Sequence, residues 1–207
     1  MALEFAEDTT GQVWQGMSRR LERGGGALDL QRDDARQQPS QVLGTTWCPT
    51  ILDVEASGFG RGSYPIEIGL ARADGTHSAL LIRPLDEWTH WDPKAELLHG
   101  ITRDQLMQEG HSPLDVARWL NDELREVGVA YSDSWGYDSS WVGRLFNDVD
   151  LLPGFRLESL RRLLDECQLA RWNATKARVE VEAGIRRHRA GEDVRLLQQT
   201  YLRSLCH

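Results

Sequence analysis

Asp53 and Glu55 are two acids one residue apart at the end of an apolar run, Pro49-Thr50-Ile51-Leu52-Asp53-Val54-Glu55, which gives way to Ala56-Ser57-Gly58. On a strand, residues i and i+2 share a face, so both carboxylates point the same way. Two acids held side by side repel each other and resist burial. A hard divalent cation such as Mg²⁺ or Mn²⁺ prefers oxygen ligands and is the usual compensation. Further acids recur downstream: Asp138, in Trp135-Gly136-Tyr137-Asp138, and Asp193, five residues after His188. Hydrolysis of a phosphodiester calls for two cations about 3.5–4 Å apart, one activating a water and one holding the leaving oxygen. Several carboxylates must then converge from separate segments. A base for the water is also needed, and an imidazole, which titrates near neutral pH, suits His188 to that role.

The elements that must position these groups follow from pattern. Ile51–Glu55 reads as a first strand, Ile66–Ala73 as a second and His77–Arg83 as a third, with Asp74-Gly75 as the hairpin signal between the last two. Helices are expected over Thr102–Glu109 and over Ser112–Val127, where Ser112-Pro113 supplies an N-cap and a proline at the first helical position. A short strand over Val127–Ser132 precedes a helix near Ser139–Asn147. Pro153-Gly154 marks a turn, and Phe155–Leu157 a last strand running into a helix near Glu158–Gln168. Ala177–Leu205 reads as helical with a break near Gly191. On an unbroken helix His188 and Asp193 would be offset by roughly 140°, and a break lets both face one cleft. Strands and helices in this order predict an α/β fold, a mixed sheet flanked by helices.

Composition narrows the class. The 207 residues suffice for one domain with a full core. The apolar fraction of 40% and charged fraction of 27% are ordinary for a globular protein. No apolar run approaches the roughly 20 residues that span a bilayer, and the N-terminus carries no secretory pattern. Three cysteines, Cys48, Cys167 and Cys206, without CxxC spacing argue against a disulfide framework or zinc knuckle and fit a cytoplasmic location. A general duplex binder is normally basic, so at a net charge of −8 contact with nucleic acid would be local, with metal ions offsetting the acidic site. Residues 1–45, with Gly24-Gly25-Gly26 and few large apolar side chains, read as a flexible extension before a domain over 46–207. Two alternatives stay open: a short amphipathic helix within Gln12–Leu21, and Met17 as the natural start.

The ordered motifs resemble those of the DEDDh 3′–5′ exonucleases, the family of the polymerase III proofreading subunit, ribonuclease T and oligoribonuclease. Asp53-Val54-Glu55-Ala56-Ser57-Gly58 is similar to the first motif, Tyr137-Asp138 to the second, and His188-x-Ala190-x-x-Asp193 to the third. His99-Gly100-Ile101-Thr102 and Glu158-Ser159-Leu160 resemble family stretches between and after these. The resemblance covers about Thr46 to Leu205 and implies a ribonuclease-H-like, mixed five-stranded sheet. It implies two Mg²⁺ or Mn²⁺ ions on Asp53, Glu55, Asp138 and Asp193, His188 as the base, and release of nucleoside 5′-monophosphates from single-stranded or frayed 3′ ends of DNA or RNA. It also implies that backbone near Ala56 and Ser57 approaches the terminal nucleotide. A homodimer and a polymerase partner both remain open. Three departures stand out: Ser134 where Asn is common, Ala56 where a hydroxyl is frequent, and Val194 where Ala is usual.

Each residue has a plainer structural role to weigh. Asp-x-Glu alone is a solvated strand end, Asp138 alone a helix N-cap, and His188 alone an exposed residue between arginines. Trp141 and Trp135 flank Asp138, where an aromatic can stack on a base, but packing is the stronger expectation. Lys176, Arg178, Arg186, Arg187 and Arg189 form a basic cluster that either meets a phosphate backbone or is a charged face balanced by Glu180 and Glu182. Asp133 and Asp148 read as surface residues. The competing functional reading is a nucleic-acid-binding or assembly module that keeps the fold without activity.

Overall fold

The computed structural model describes residues 47–205; the extension expected over 1–45 lies outside them. Five strands form one sheet in the order β3-β2-β1-β4-β5. The strands are β1 (Ile51–Ala56), β2 (Pro65–Ala71), β3 (His77–Leu81), β4 (Val129–Ser132) and β5 (Arg156–Ser159). β1 pairs antiparallel with β2 and β2 with β3, whereas β1 pairs parallel with β4 and β4 with β5. The sheet is therefore mixed, as expected.

Alternation along the two central strands builds two faces. Leu52, Val54 and Ala56 of β1 and Ile66, Ile68 and Leu70 of β2 join one core with Val116, Leu120 and Leu124 of α3 (Pro113–Leu124) and Val142, Leu145 and Phe146 of α4 (Trp135–Asp148). Burying each valine, leucine, isoleucine or phenylalanine of this set contributes about 1.5–3 kcal/mol. The opposite face carries Ile51 and Ala71, covered by Val194, Leu197 and Tyr201 of α6 (Ala190–Ser204). Asp53 and Glu55 share that second face with Ile51, because they differ from it by two and four residues.

Local chemistry accounts for the helix ends. Ser112 accepts the Asp115 N–H at 3.1 Å, with Pro113 in the first turn. Thr102 caps α2 (Arg103–Glu109) through Gln105 N at 3.1 Å. The Asp74-Gly75 hairpin is looser than a two-residue turn. Arg72 N still donates to Thr76 O at 2.8 Å, and Gly75 takes φ 88°, a three-residue loop with glycine in the left-handed position.

Three expectations are corrected, and one helix joins those expected. Pro93–His99 forms a helix, α1, with Asp92 as N-cap, Pro93 in the first turn and Gly100 closing it at φ 70°. Glu158–Gln168 is not one helix: β5 runs to Ser159, a 3₁₀ turn occupies Leu160–Leu163, and α5 spans Glu166–Ala183 behind an Asp165/Gln168 capping box. The break between the last two helices lies at Gly184–Arg189, before Gly191. Cys167 is disulfide-bonded, so an uncrosslinked thiol holds for Cys48. No helix among the described residues is long and apolar enough to cross a membrane.

Candidate active site

Three structural junctions deliver the acids to one place. β1 carries Asp53 and Glu55 to its C-terminal end, where it parts from β2 at a register shift between Glu55 and Ala56. β4 lies parallel beside β1, and the chain turns from Ser132 into α4, so Asp138 sits in the first turn of that helix at the same end of the sheet. The crevice beyond the carboxyl ends of strands, where the strand order reverses, is where open α/β sheets place ligands. α6 begins directly on β2: a Cβ on Gly69 would lie 2.2 Å from the Ala190 carbonyl oxygen, so only glycine lets the helix start that close. This seating brings His188 and Asp193 over the β1 acids.

Glu55, His188 and Asp193 each offer one oxygen or ring nitrogen, and these atoms lie within 4.8 Å of one another. Asp53 and Asp138 belong to the same electrostatic cluster. Burial, then Asp138, Asp193, Glu55 and Asp133, push the Asp53 carboxyl well above its ordinary range. Glu55 is pushed up to about 8, by burial first and then by Asp193, Glu67 and Asp138, with Arg189 opposing. Burial pushes Asp138 up to about 7 against a hydrogen bond from Ser132. Burial also lowers His188, which Asp193 partly offsets, favouring the neutral imidazole that can accept a proton. The site thus concentrates carboxylates whose charged forms the protein by itself disfavours. That donor set, all hard oxygen, fits Mg²⁺ or Mn²⁺.

The surrounding groups hold these side chains in place. Asp193 accepts from Arg187 Nε at 2.8 Å and from the His188 backbone N–H at 2.7 Å. His188 itself takes a left-handed φ of 64°, outside the helix. This break, not one at Gly191, is what puts His188 and Asp193 on one side. Ser132, fully buried, donates its hydroxyl to Asp138 and accepts the Ser134 N–H at 3.1 Å. Ser57 is buried; its hydroxyl bonds His90 Nδ1 at 3.0 Å and Tyr64 N at 3.1 Å, and its backbone bonds Tyr64 and Asp92. Ala56 is buried beside it. Trp141 is 8% exposed with its indole N–H on Ser63, and its ring meets Tyr137 and Phe59.

The basic cluster divides. Arg187 bridges Asp193 and Glu180, Lys176 pairs with Asp133 at 2.8 Å and Arg189 pairs with Glu67, while Arg178 and Arg186 are exposed. Glu182 pairs with Arg203 instead. Asp148 is not a surface acid: it accepts from the buried Trp88 indole at 2.7 Å and from Arg144. Sequence reasoning passed over Phe59, Ser132 and Glu67. For Glu67 a signal existed, since it is the lone acid in Pro65-Ile66-Glu67-Ile68-Gly69-Leu70-Ala71, all of which is buried.

No protein-family model and no curated protein matches this sequence. Solved structures do. The chain is similar to E. coli Exonuclease I in complex with a dA16 oligonucleotide, at TM-score 0.57 and 15% identity, over 75% of this chain and 40% of that one. It is also similar to a moderately thermophilic Exonuclease I from Methylocaldum szegediense, at TM-score 0.55 and 18% identity, over 76% of this chain and 40% of that one. The chain thus spans about 40% of the length of these neighbours. It shares the ribonuclease-H-like fold of these exonuclease structures, a mixed five-stranded sheet flanked by helices.

Proposed function

We propose that this chain is a divalent-metal-dependent 3′–5′ exonuclease that hydrolyses the terminal phosphodiester of single-stranded or frayed 3′ ends and releases nucleoside 5′-monophosphates. The observation that carries this reading is the meeting of Asp53, Glu55, Asp138, Asp193 and His188 at one end of the sheet, from segments up to 140 positions apart.

Asp53, Glu55, Asp138 and Asp193 would hold two Mg²⁺ or Mn²⁺ ions. When bound, such ions supply an activated water and stabilise charge on the departing oxygen. The protein's own residues do the rest. His188, held neutral by burial, accepts the proton of the attacking water at a ring nitrogen. Asp193 fixes that residue through its backbone N–H. Backbone near Ala56 and Ser57, where β1 ends, would approach the terminal nucleotide. Phe59, 64% exposed, and Tyr137, 59% exposed, stand edge to face at 5.1 Å over the more buried Trp141 and offer base-stacking surface beside the acids. Stacking is tolerant of sequence and suits a single strand. A small aromatic and metal-based contact also reconciles nucleic-acid binding with the net charge of −8. The complexes of the E. coli neighbour with dA16 and dT13 support a single strand as substrate.

The test is purified protein with a 5′-labelled single strand, as DNA and as RNA, in Mg²⁺ and in Mn²⁺. A ladder shortened from the 3′ end is expected. Binding without any shortening in all four conditions would replace this reading with the inactive binding module.

A further inference from the structure

Glu67 is buried in the middle of the sheet, 3% exposed, with no part in the chemistry described above. Its carboxylate accepts Arg189 Nε at 3.2 Å on each oxygen, Arg189 Nη2 at 2.7 Å and the Ala190 backbone N–H at 2.8 Å. A buried carboxylate demands such partners, and a forked guanidinium fits it with fixed geometry. All these contacts come from the two residues that follow His188. Two positions further along the same face of β2, Gly69 lets the Ala190 carbonyl rest on the strand. The start of α6 is therefore clamped from below by β2, through one ion pair, one backbone hydrogen bond and one close backbone contact.

His188 sits just outside this clamp in a backbone conformation that a non-glycine residue adopts at a cost. Such a conformation persists only where the neighbours over-determine it. On one side Asp193 accepts the His188 N–H and Arg187 Nε. On the other side Glu67 holds Arg189 and Ala190. Released from Glu67, residue 189 could rotate, and His188 would relax toward an ordinary helical or extended φ. Its ring would then leave the atoms of Glu55 and Asp193 that now lie within 4.8 Å.

We infer that Glu67 is a positioning residue for His188: from β2 it holds the Arg189–Ala190 step and thereby keeps the imidazole over the acids. The kinetic part of this inference rests on the exonuclease reading; the structural part does not.

The experiment compares wild type, Glu67→Gln, His188→Ala and the double variant in single-turnover cleavage at high enzyme concentration, together with the ¹H–¹⁵N imidazole spectrum of His188. Glutamine keeps the size of the side chain and an acceptor for Ala190 N–H, but loses the charge that orients Arg189. The expected result is a fall in turnover of about tenfold to a hundredfold, the scale of a misplaced reacting group, with KM changed less than threefold. The same substitution in the His188→Ala background should have no further effect, because Glu67 acts through the ring. The His188 imidazole signals should shift or broaden. An equal loss with and without the imidazole would mark a general structural role and overturn the inference. So would unchanged turnover with unchanged imidazole signals. Should Glu67→Gln fail to fold, Arg189→Lys tests the half-exposed end of the same clamp, keeps the charge and should show the same pattern more weakly. If wild type cleaves nothing, the exonuclease reading fails, and the imidazole spectrum alone decides the clamp.

Discussion

Glu55 and Glu67 stand directly opposite each other on β1 and β2, two acids on the sheet face that carries α6. Like charges in that relationship destabilise a sheet. The structure resolves the conflict unequally. Arg189 and Ala190 saturate Glu67, and Arg189 only partly offsets the field at Glu55, which stays pushed up to about 8. One acid anchors the fold, and the other remains open to the cleft. Four expected outcomes follow from this arrangement and its neighbours, and a fifth from the seat of α6.

Metal-free protein should lose stability as pH rises. Glu55 and Asp138 have carboxyls raised to about 8 and about 7, against unfolded values near 4.5 and 3.8. The folded state therefore binds their protons more tightly than the unfolded chain. Their stabilising contribution is full below about pH 4 and is lost as pH climbs to about 8. Thermal unfolding in EDTA should show this slope between pH 5 and 8. Mn²⁺ should raise the midpoint more at pH 8 than at pH 5. A midpoint flat across that range in EDTA would contradict the assigned field.

His188→Ala should lower turnover by about a hundredfold to ten-thousandfold, the usual value of a general base, while leaving Mn²⁺ affinity within a fewfold. Asp138→Ala should lose both turnover and affinity. Calorimetric Mn²⁺ titration of the two variants separates the roles, and equal affinity in wild type and Asp138→Ala would refute the ligand assignment.

Ser132→Ala removes the hydroxyl that holds Asp138 and leaves the Ser134 N–H without its acceptor. That hydrogen bond lowers the Asp138 carboxyl, so its loss pushes the group further up. The acid limb of Mn²⁺ binding should move to higher pH, and stability should fall by about 1–3 kcal/mol, the cost of a buried unmet group. An unmoved acid limb in a pH series of Mn²⁺ titrations would count against the tether.

Phe59→Ala removes an exposed ring from the Phe59–Tyr137–Trp141 group without touching the core. Base stacking is worth about 1–3 kcal/mol per base, so affinity for a labelled single strand should drop roughly fivefold to a hundredfold, with the thermal midpoint unchanged. Fluorescence anisotropy in EDTA measures binding apart from cleavage.

Gly69→Ala places a methyl group 2.2 Å from the Ala190 carbonyl oxygen. Backbone cannot yield there as a side chain does. Overpacking of this kind costs about 1–3 kcal/mol, and the displaced helix should weaken Mn²⁺ binding as well. Intact affinity in a destabilised variant would show that α6 can shift without moving Asp193.

What lies close along the chain was legible. Strand alternation put Asp53 and Glu55 on one face, Ser112-Pro113 announced α3, and a break between the last two helices was required for His188 and Asp193 to meet. The same kind of signal existed for elements that were missed: Asp92-Pro93 with Gly100 frames α1, and Asp165 with Gln168 starts α5. These are short-range effects, set by backbone geometry and local hydrogen bonds. Tertiary structure alone decided the partnering of Glu67 with Arg189, 122 positions away, the Trp88 bond to Asp148, and the exposure of Phe59 beside Tyr137. Each depends on which strand lies beside which and on where a helix first touches the sheet. The sequence by itself determined which acids and which histidine are available and which way β1 turns them. Folding decided which acid is neutralised by an arginine and which is left facing the cleft, because that choice rests on contacts through space that no local pattern encodes.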